Sequence, residues 1–227
     1  MNKFDHVIFD LDGTLVDSAL VCSEILTEML GERRSDRVVT VECARAHMSL
    51  GGAHLVQTML GDECGDVEAE LCEFRRRYAA HPTPDSSLFD GVRYGLIRLH
   101  ARGLKLGICS NKPQYLCEKV LADLGLLAMF DAVIGTSDGR KHKPHPQLMN
   151  LTLHALNARA EHTVFVGDSD QDHELALATG VPFRFVGYGY RPAGWAPEGL
   201  PVFDTFAGLV GSIETELERR ATFRRVA

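Results

Sequence analysis

The 227-residue chain contains no C-x-x-C pair, no basic run longer than Arg75-Arg76-Arg77 and no lysine between Lys3 and Lys105. No apolar stretch approaches the roughly 20 residues that a membrane span requires. Each absence narrows the reading. The six cysteines (Cys22, Cys43, Cys64, Cys72, Cys109 and Cys117) are scattered, which fits small apolar residues in a reducing compartment better than a disulfide framework or a zinc site. A net charge of −7 without a basic patch argues against a nucleic-acid partner, and the arginine triplet reads as a solvated helix face. The opening MNKFDHVIFDLD enters a strand with no signal-peptide pattern, so a cytoplasmic protein without a membrane partner is expected. There is no internal repeat and no low-complexity segment.

What is present is ordinary for a globular protein: 45% hydrophobic and 24% charged residues, enough chain for one core domain carrying a smaller insertion. The stretch FDLDGTLVDS, Phe9 to Ser18, organises the rest. Val7, Ile8 and Phe9 read as a buried strand, and period-2 geometry points Asp10 and Asp12 to one side at its end. Gly13 sits where the chain must turn tightly beside a ligand, to which Thr14 offers a hydroxyl and an N–H. An isolated Asp-x-Asp is equally an ordinary strand edge with solvated aspartates, so later segments must decide.

Asp17 or Ser18 can cap a helix carrying Val21, Ile25 and Met29, and a helical pattern continues to about His81. Its clearest stripe is Val67, Leu71, Phe74 and Tyr78. Pro82 and Pro84 suggest a hinge back to the core. The expected division is therefore a core of residues 1–16 and 85–227 and a helical insertion over 17–84. Within the core, helices over Gly91–Arg102, from Pro113, over Pro146–Asn157 and over Gln171–Thr179 alternate with strands Leu104–Ser110, Phe130–Gly135, Thr163–Gly167 and Phe183–Gly187. A last helix carries Phe206, Leu209, Val210, Ile213 and Leu217, then frays into the charged tail Glu218–Arg225. Such alternation implies an α/β fold, a parallel sheet covered on both faces, with a ligand outside the carboxyl ends of the strands.

Three further polar segments fall at such ends. Ser110-Asn111-Lys112-Pro113 opens a helix, where Ser110 and the Asn111 amide can hold phosphoryl oxygens, although Ser-Asn before a helix is also a common cap. In Lys143-Pro144-His145-Pro146, Pro144 restricts Lys143 to an extended conformation that would aim its ammonium. Gly167-Asp168-Ser169-Asp170-Gln171-Asp172 supplies hard oxygen donors of the kind Mg²⁺ takes. If Asp168 and Asp172 join Asp10 and Asp12, four negative charges converge, more than Lys143 alone balances, and a divalent cation is required. Asp170 suits solvent or capping instead.

Taken together and in order, FDLDGTLVDS, CSNK, KPHP and GDSDQD resemble the four motifs of the haloacid dehalogenase-like phosphohydrolase superfamily, across the whole chain. The insertion after the first motif looks like that superfamily's α-helical cap. The SNK form and GYGYRP, Gly187–Pro192, are similar to the phosphoglycolate phosphatase-like subgroup. The resemblance implies a Rossmann-like doubly wound core with a helical-bundle cap, and a Mg²⁺-dependent phosphatase acting on a small phosphorylated metabolite. It makes Asp10 the nucleophile that becomes an aspartyl-phosphate, Asp12 the acid and base, Ser110 and Asn111 the holders of phosphoryl oxygens, and Lys143 the charge balance. Mg²⁺ would lie on Asp10, the carbonyl of Asp12 and Asp168, with Asp172 supporting its water or Lys143.

Cap residues would select the leaving group, and Arg45 and His47 in ARAHMSLGG are candidates to meet an anionic substrate. The missing cap lysine disfavours phosphonoacetaldehyde cleavage, and the acid at position 12 disfavours carbon–halogen hydrolysis. Two alternatives stay open at this point: a sugar phosphomutase like β-phosphoglucomutase, and a non-catalytic binding protein on the same scaffold. A monomer or homodimer is expected.

Overall fold

This computed structural model describes residues 4–191 and 194–226, with residues 220–226 by backbone alone. The opening Met1–Lys3 and Pro192 of the GYGYRP stretch lie outside the described residues. The chain divides into two compact units, Met1–Val16 with Leu88–Ala227, and Asp17–Ser87.

Strand β1 (His6–Phe9) opens the larger unit. The smaller unit then follows as helices α1 (Ala19–Glu32), α2 (Val41–Arg45), α3 (Gly52–Leu60) and α4 (Val67–Ala80). Its helical pattern is less continuous than the sequence suggests. Residues 33–40 leave helical geometry, starting with Arg34 at φ 61°, and Arg37 of that segment donates to the carbonyls of Met59 and Leu60 at the end of α3. Ser18, one of the two residues expected to cap α1, is already helical in backbone, makes no side-chain cap bond and receives the Tyr78 hydroxyl, while Asp17 pairs with Arg45. Of the expected stripe on α4, Leu71, Phe74 and Tyr78 are buried.

The larger unit resumes with α5 (Val92–Ala101), β2 (Lys105–Pro113), α6 (Gln114–Asp123), β3 (Ala132–Thr136), α7 (Gln147–Leu156), β4 (Thr163–Gly167), α8 (Asp170–Thr179), β5 (Phe183–Val186), β6 (Val202–Phe203) and α9 (Phe206–Val226). The six strands form one parallel sheet in the order β3-β2-β1-β4-β5-β6, a doubly wound α/β arrangement. β1 is central: Phe9 lies opposite Ile108 of β2 and Val166 of β4. Val7, Ile8 and Phe9 are fully buried because helices cover both faces. Ile8 packs among Leu148, Met149, Leu156, Phe165 and Leu175, and the Phe9 ring meets Phe206 of α9 at 5.9 Å.

Three details depart from the sequence reading. Strand β2 runs on to Pro113, which is extended at ψ 138° and precedes the helix rather than occupying its first turn. The edge strand β6 is added. The expected fraying after Glu218 does not occur, and α9 stays helical to Val226, held against α5 by Arg98–Glu214 and Arg102–Glu218 pairs. All six cysteines are free thiols; Cys22, Cys109 and Cys117 are buried, whereas Cys43 and Cys72 are exposed and do not serve as apolar packing. Among the described residues, no helix is long and apolar enough to cross a membrane.

Candidate active site

The order of the strands reverses on either side of β1, and that is where an open α/β sheet leaves a crevice beyond its carboxyl ends. Asp10 and Asp12 leave the end of β1, Ser110 to Lys112 form the end of β2, and Asp168 follows β4. Lys143 arrives on the loop between β3 and α7, where the Lys143-Pro144 peptide is cis.

Asp10 is buried, and its Oδ1 accepts from the Leu11 N–H at 2.7 Å and from Lys143 Nζ at 2.9 Å. Burial pushes its pKa from 3.8 to about 6, with Asp172 and Asp12 adding to the rise and Lys143 and the Ser110 hydroxyl opposing it. Lys143 Nζ also donates to Asp172 Oδ1 at 2.7 Å. Burial would lower the Lys143 pKa, but Asp10 and Asp172 together hold it above the ordinary lysine value. Asp172 does double duty: its Oδ2 accepts from the Ser169 hydroxyl at 2.6 Å and closes a capping box at the start of α8. Of the two expectations for Asp170, solvent or capping, the capping one is not met, since Ser169 is the cap and Asp170 the half-buried first helical residue.

Asp168 is the third buried carboxylate. Its Oδ1 accepts the Thr14 hydroxyl at 2.9 Å and its Oδ2 the Tyr190 N–H at 2.6 Å. Burial, then Asp172 and Asp10, raise its pKa against those two donors. The surroundings leave no slack: a Cβ at Gly13, whose φ is 82°, or at Gly189 would overlap the Asp168 carboxylate. The hydroxyl of Thr14 is engaged within the protein rather than offered to a ligand, and the neighbouring Gly13 N–H donates to the Val16 carbonyl at 2.9 Å.

One oxygen from each of Asp10, Asp168 and Asp172 lies within 4.8 Å of the other two. Three buried carboxylates around one buried ammonium is an anionic, all-oxygen donor set, which suits a hard divalent cation such as Mg²⁺. The side chain of Asp12 is not in this cluster. It turns to Lys112 Nζ, 3.1 and 3.2 Å from its two oxygens, so the four converging charges expected from the sequence are three plus a separate ion pair. Ser110 is buried beside Asp10. The Asn111 side chain clasps the Lys143 backbone, accepting its N–H at 2.7 Å and donating to its carbonyl at 3.3 Å, and also donates to Gln171 at 3.0 Å.

Lys112, Gln171 and the Tyr188-Gly189-Tyr190 turn had no role assigned from sequence. Tyr188 donates its hydroxyl to the Thr14 carbonyl at 2.9 Å. Within the smaller unit, Arg45 pairs with Asp17, and His47 Nδ1 lies 3.2 Å from His54 Nε2 with the two rings stacked.

A family model of the haloacid dehalogenase-like hydrolases matches residues 7–186. A phosphoglycolate phosphatase of Rhodospirillum rubrum is 36% identical over 214 residues, spanning 89% of this chain and 88% of its own length. Another from Xanthomonas campestris pv. campestris is 34% identical over 206 residues, 86% of this chain and 90% of that protein. In fold, the chain resembles the crystal structure of a predicted phosphoglycolate phosphatase from Haemophilus somnus, with a TM-score of 0.77 at 22% identity over 93% of this chain and 99% of the other.

Proposed function

The chain belongs to the haloacid dehalogenase-like hydrolases, and from that premise we propose that it is a Mg²⁺-dependent phosphomonoesterase acting on a small phosphorylated metabolite. Phosphoglycolate is the first candidate, because the curated relatives above carry that activity in their names. The core is taken as residues 1–16 and 85–227 and the substrate-selecting cap as 17–84. The observation that carries the reading is the buried triad of Asp10, Asp168 and Asp172 with Lys143 Nζ 2.9 and 2.7 Å from two of them.

In this reading Asp10 attacks phosphorus in line with the leaving oxygen. The P–O bond to the leaving group breaks as Asp12 gives that oxygen a proton, leaving an aspartyl-phosphate on Asp10. Asp12 then takes a proton from water, whose oxygen attacks phosphorus and releases phosphate and the free Asp10 carboxylate. Ser110 and the Asn111 amide hold non-bridging oxygens, and Lys143 offsets charge on Asp10 and on the transferring group. Asp10, Asp168 and the Asp12 carbonyl would hold Mg²⁺, which when bound supplies fixed positive charge for the phosphoryl oxygens. Asp172 keeps Lys143 in place. Gly13 and Thr14 act on substrate indirectly, through the placement of Asp168. Arg45 and His47 are the cap residues assigned to the leaving group, with Arg45 exchanging Asp17 for an anionic substrate.

A panel of phosphorylated metabolites, phosphoglycolate among them, assayed for phosphate release with and without Mg²⁺ tests the proposal. Release that disappears on chelation is expected. No release from any member, nor from a generic aryl phosphate, would overturn it.

A further inference from the structure

We propose that Lys112 is a positioning residue for the acid/base: its ammonium holds the Asp12 carboxylate in the orientation from which it serves both half-reactions. The inference rests on the phosphatase reading above. Lys112 Nζ stands nearly equidistant from the two Asp12 oxygens, at 3.1 and 3.2 Å, although the residues are 100 positions apart in sequence. The lysine side chain is only 7% exposed, whereas that of Asp12 is 22% exposed. A partly exposed carboxylate on a turn has rotamers to choose from, and a shielded ammonium spanning both oxygens removes most of that choice.

The anchor of the lysine is itself rigid. Its backbone N–H approaches Ser110 Oγ at 3.4 Å, and the Cys117 thiol lies 3.5 Å from its carbonyl oxygen. Gly135 of β3 lets that carbonyl approach, since a Cβ there would come within 2.6 Å of it. Next along the chain, the Gln114 side chain clamps the same edge, donating to the Val133 carbonyl at 2.9 Å and accepting the Gly135 N–H at 2.7 Å. A side chain fixed at both ends can hold a reacting group to within the fraction of an ångström that proton transfer rewards. Lys112 exchanges no proton in either step. The proton moves from Asp12 to the leaving oxygen as its P–O bond breaks, and from water to Asp12 as the Asp10–phosphorus linkage breaks.

The test compares Lys112→Met with the wild type and with Asp12→Asn, alone and combined, on an alkyl phosphate and on an aryl phosphate whose phenol is acidic. With the alkyl ester, kcat of Lys112→Met should fall about 10- to 100-fold with little change in KM, part of the acid/base contribution. With the aryl ester, a stoichiometric burst of phenolate should persist ahead of a slowed steady state, because that leaving group departs without a proton. On the Asp12→Asn background the lysine substitution should add less than about twofold. Lys112→Arg, which retains a charge able to pair with Asp12, should keep more kcat than Lys112→Met and covers the case in which the methionine variant does not fold. Equal losses on both backgrounds, or a raised KM at unchanged kcat, would overturn the inference by making Lys112 a substrate contact. An active wild type with an unaltered Lys112→Met overturns it alone, whereas an inactive wild type overturns the phosphatase reading as well.

Discussion

Replacing Asp10 by Asn in metal-free protein should invert the usual expectation that removing a buried ion-pair partner destabilises. Burial raises the Asp10 pKa from 3.8 to about 6. A carboxyl whose folded pKa lies above its unfolded one holds its proton more tightly in the native state, so native protein binds more protons between those values and stability falls as pH rises through them. The penalty is absent below about pH 4 and fully present above about pH 7. At 1.36 kcal/mol per pH unit it comes to about 3 kcal/mol. The Asn variant carries no such term, and the Lys143 pairing adds no separate one, since it opposes the rise and is already contained in the value of about 6. The difference in melting temperature, wild type minus Asp10→Asn in chelator, should therefore become more negative by about 6–12 °C from pH 4 to pH 8, at about 2–4 °C per kcal/mol for a chain of this size. Thermal unfolding followed by circular dichroism at several pH values reads it directly. A difference that stays flat, or that moves in favour of the wild type as pH rises, would refute the assignment of Asp10 to a desolvated, proton-retaining site.

Lys143→Met should cost about 3–5 kcal/mol, since it leaves Asp10 and Asp172 buried without their shared cation; denaturant melts check this, and Mg²⁺ should restore part of the loss. Gly189→Ala forces a Cβ into the Asp168 carboxylate and the Gly13 carbonyl, so a loss of about 1–3 kcal/mol and weaker Mg²⁺ binding by calorimetry are expected. Arg45→Ala and His47→Ala should reorder the preferred substrates in a metabolite panel while leaving aryl phosphate turnover within about threefold, as a role confined to the leaving group requires.

The sheet was legible where physics writes it locally. Val7-Ile8-Phe9 and Thr163 to Val166 are buried on both faces, so their apolar runs announce parallel strands. Val202–Phe203 is too short to show any period, and its pairing depends on β5 being there to receive it. The break over residues 33–40 is set by Arg37 reaching carbonyls on α3, a tertiary choice that no local pattern encodes. At the candidate site, polar residue types at strand ends and in the following loop pointed to Asp10, Asp168 and Lys143, and the structure clusters Asp10 with Asp168 and sets Lys143 against Asp10. Lys112 escaped because its partner is distant in sequence. The Tyr190 contact escaped because it is made by a backbone N–H that any residue but proline supplies.

In the proposed reaction Asp10 carries the phosphoryl group during turnover. Acid-quenching the Mg²⁺-loaded protein during steady-state turnover of phosphoglycolate, or of the best substrate from the panel, and mapping the peptide containing Asp10 by mass spectrometry tests it most directly. A transient phosphoryl adduct is expected on Asp10, vanishing when substrate is exhausted and absent from Asp10→Asn, which should also release no phosphate. Sustained phosphate release by Asp10→Asn, or an adduct on another residue, would remove Asp10 from the role of nucleophile.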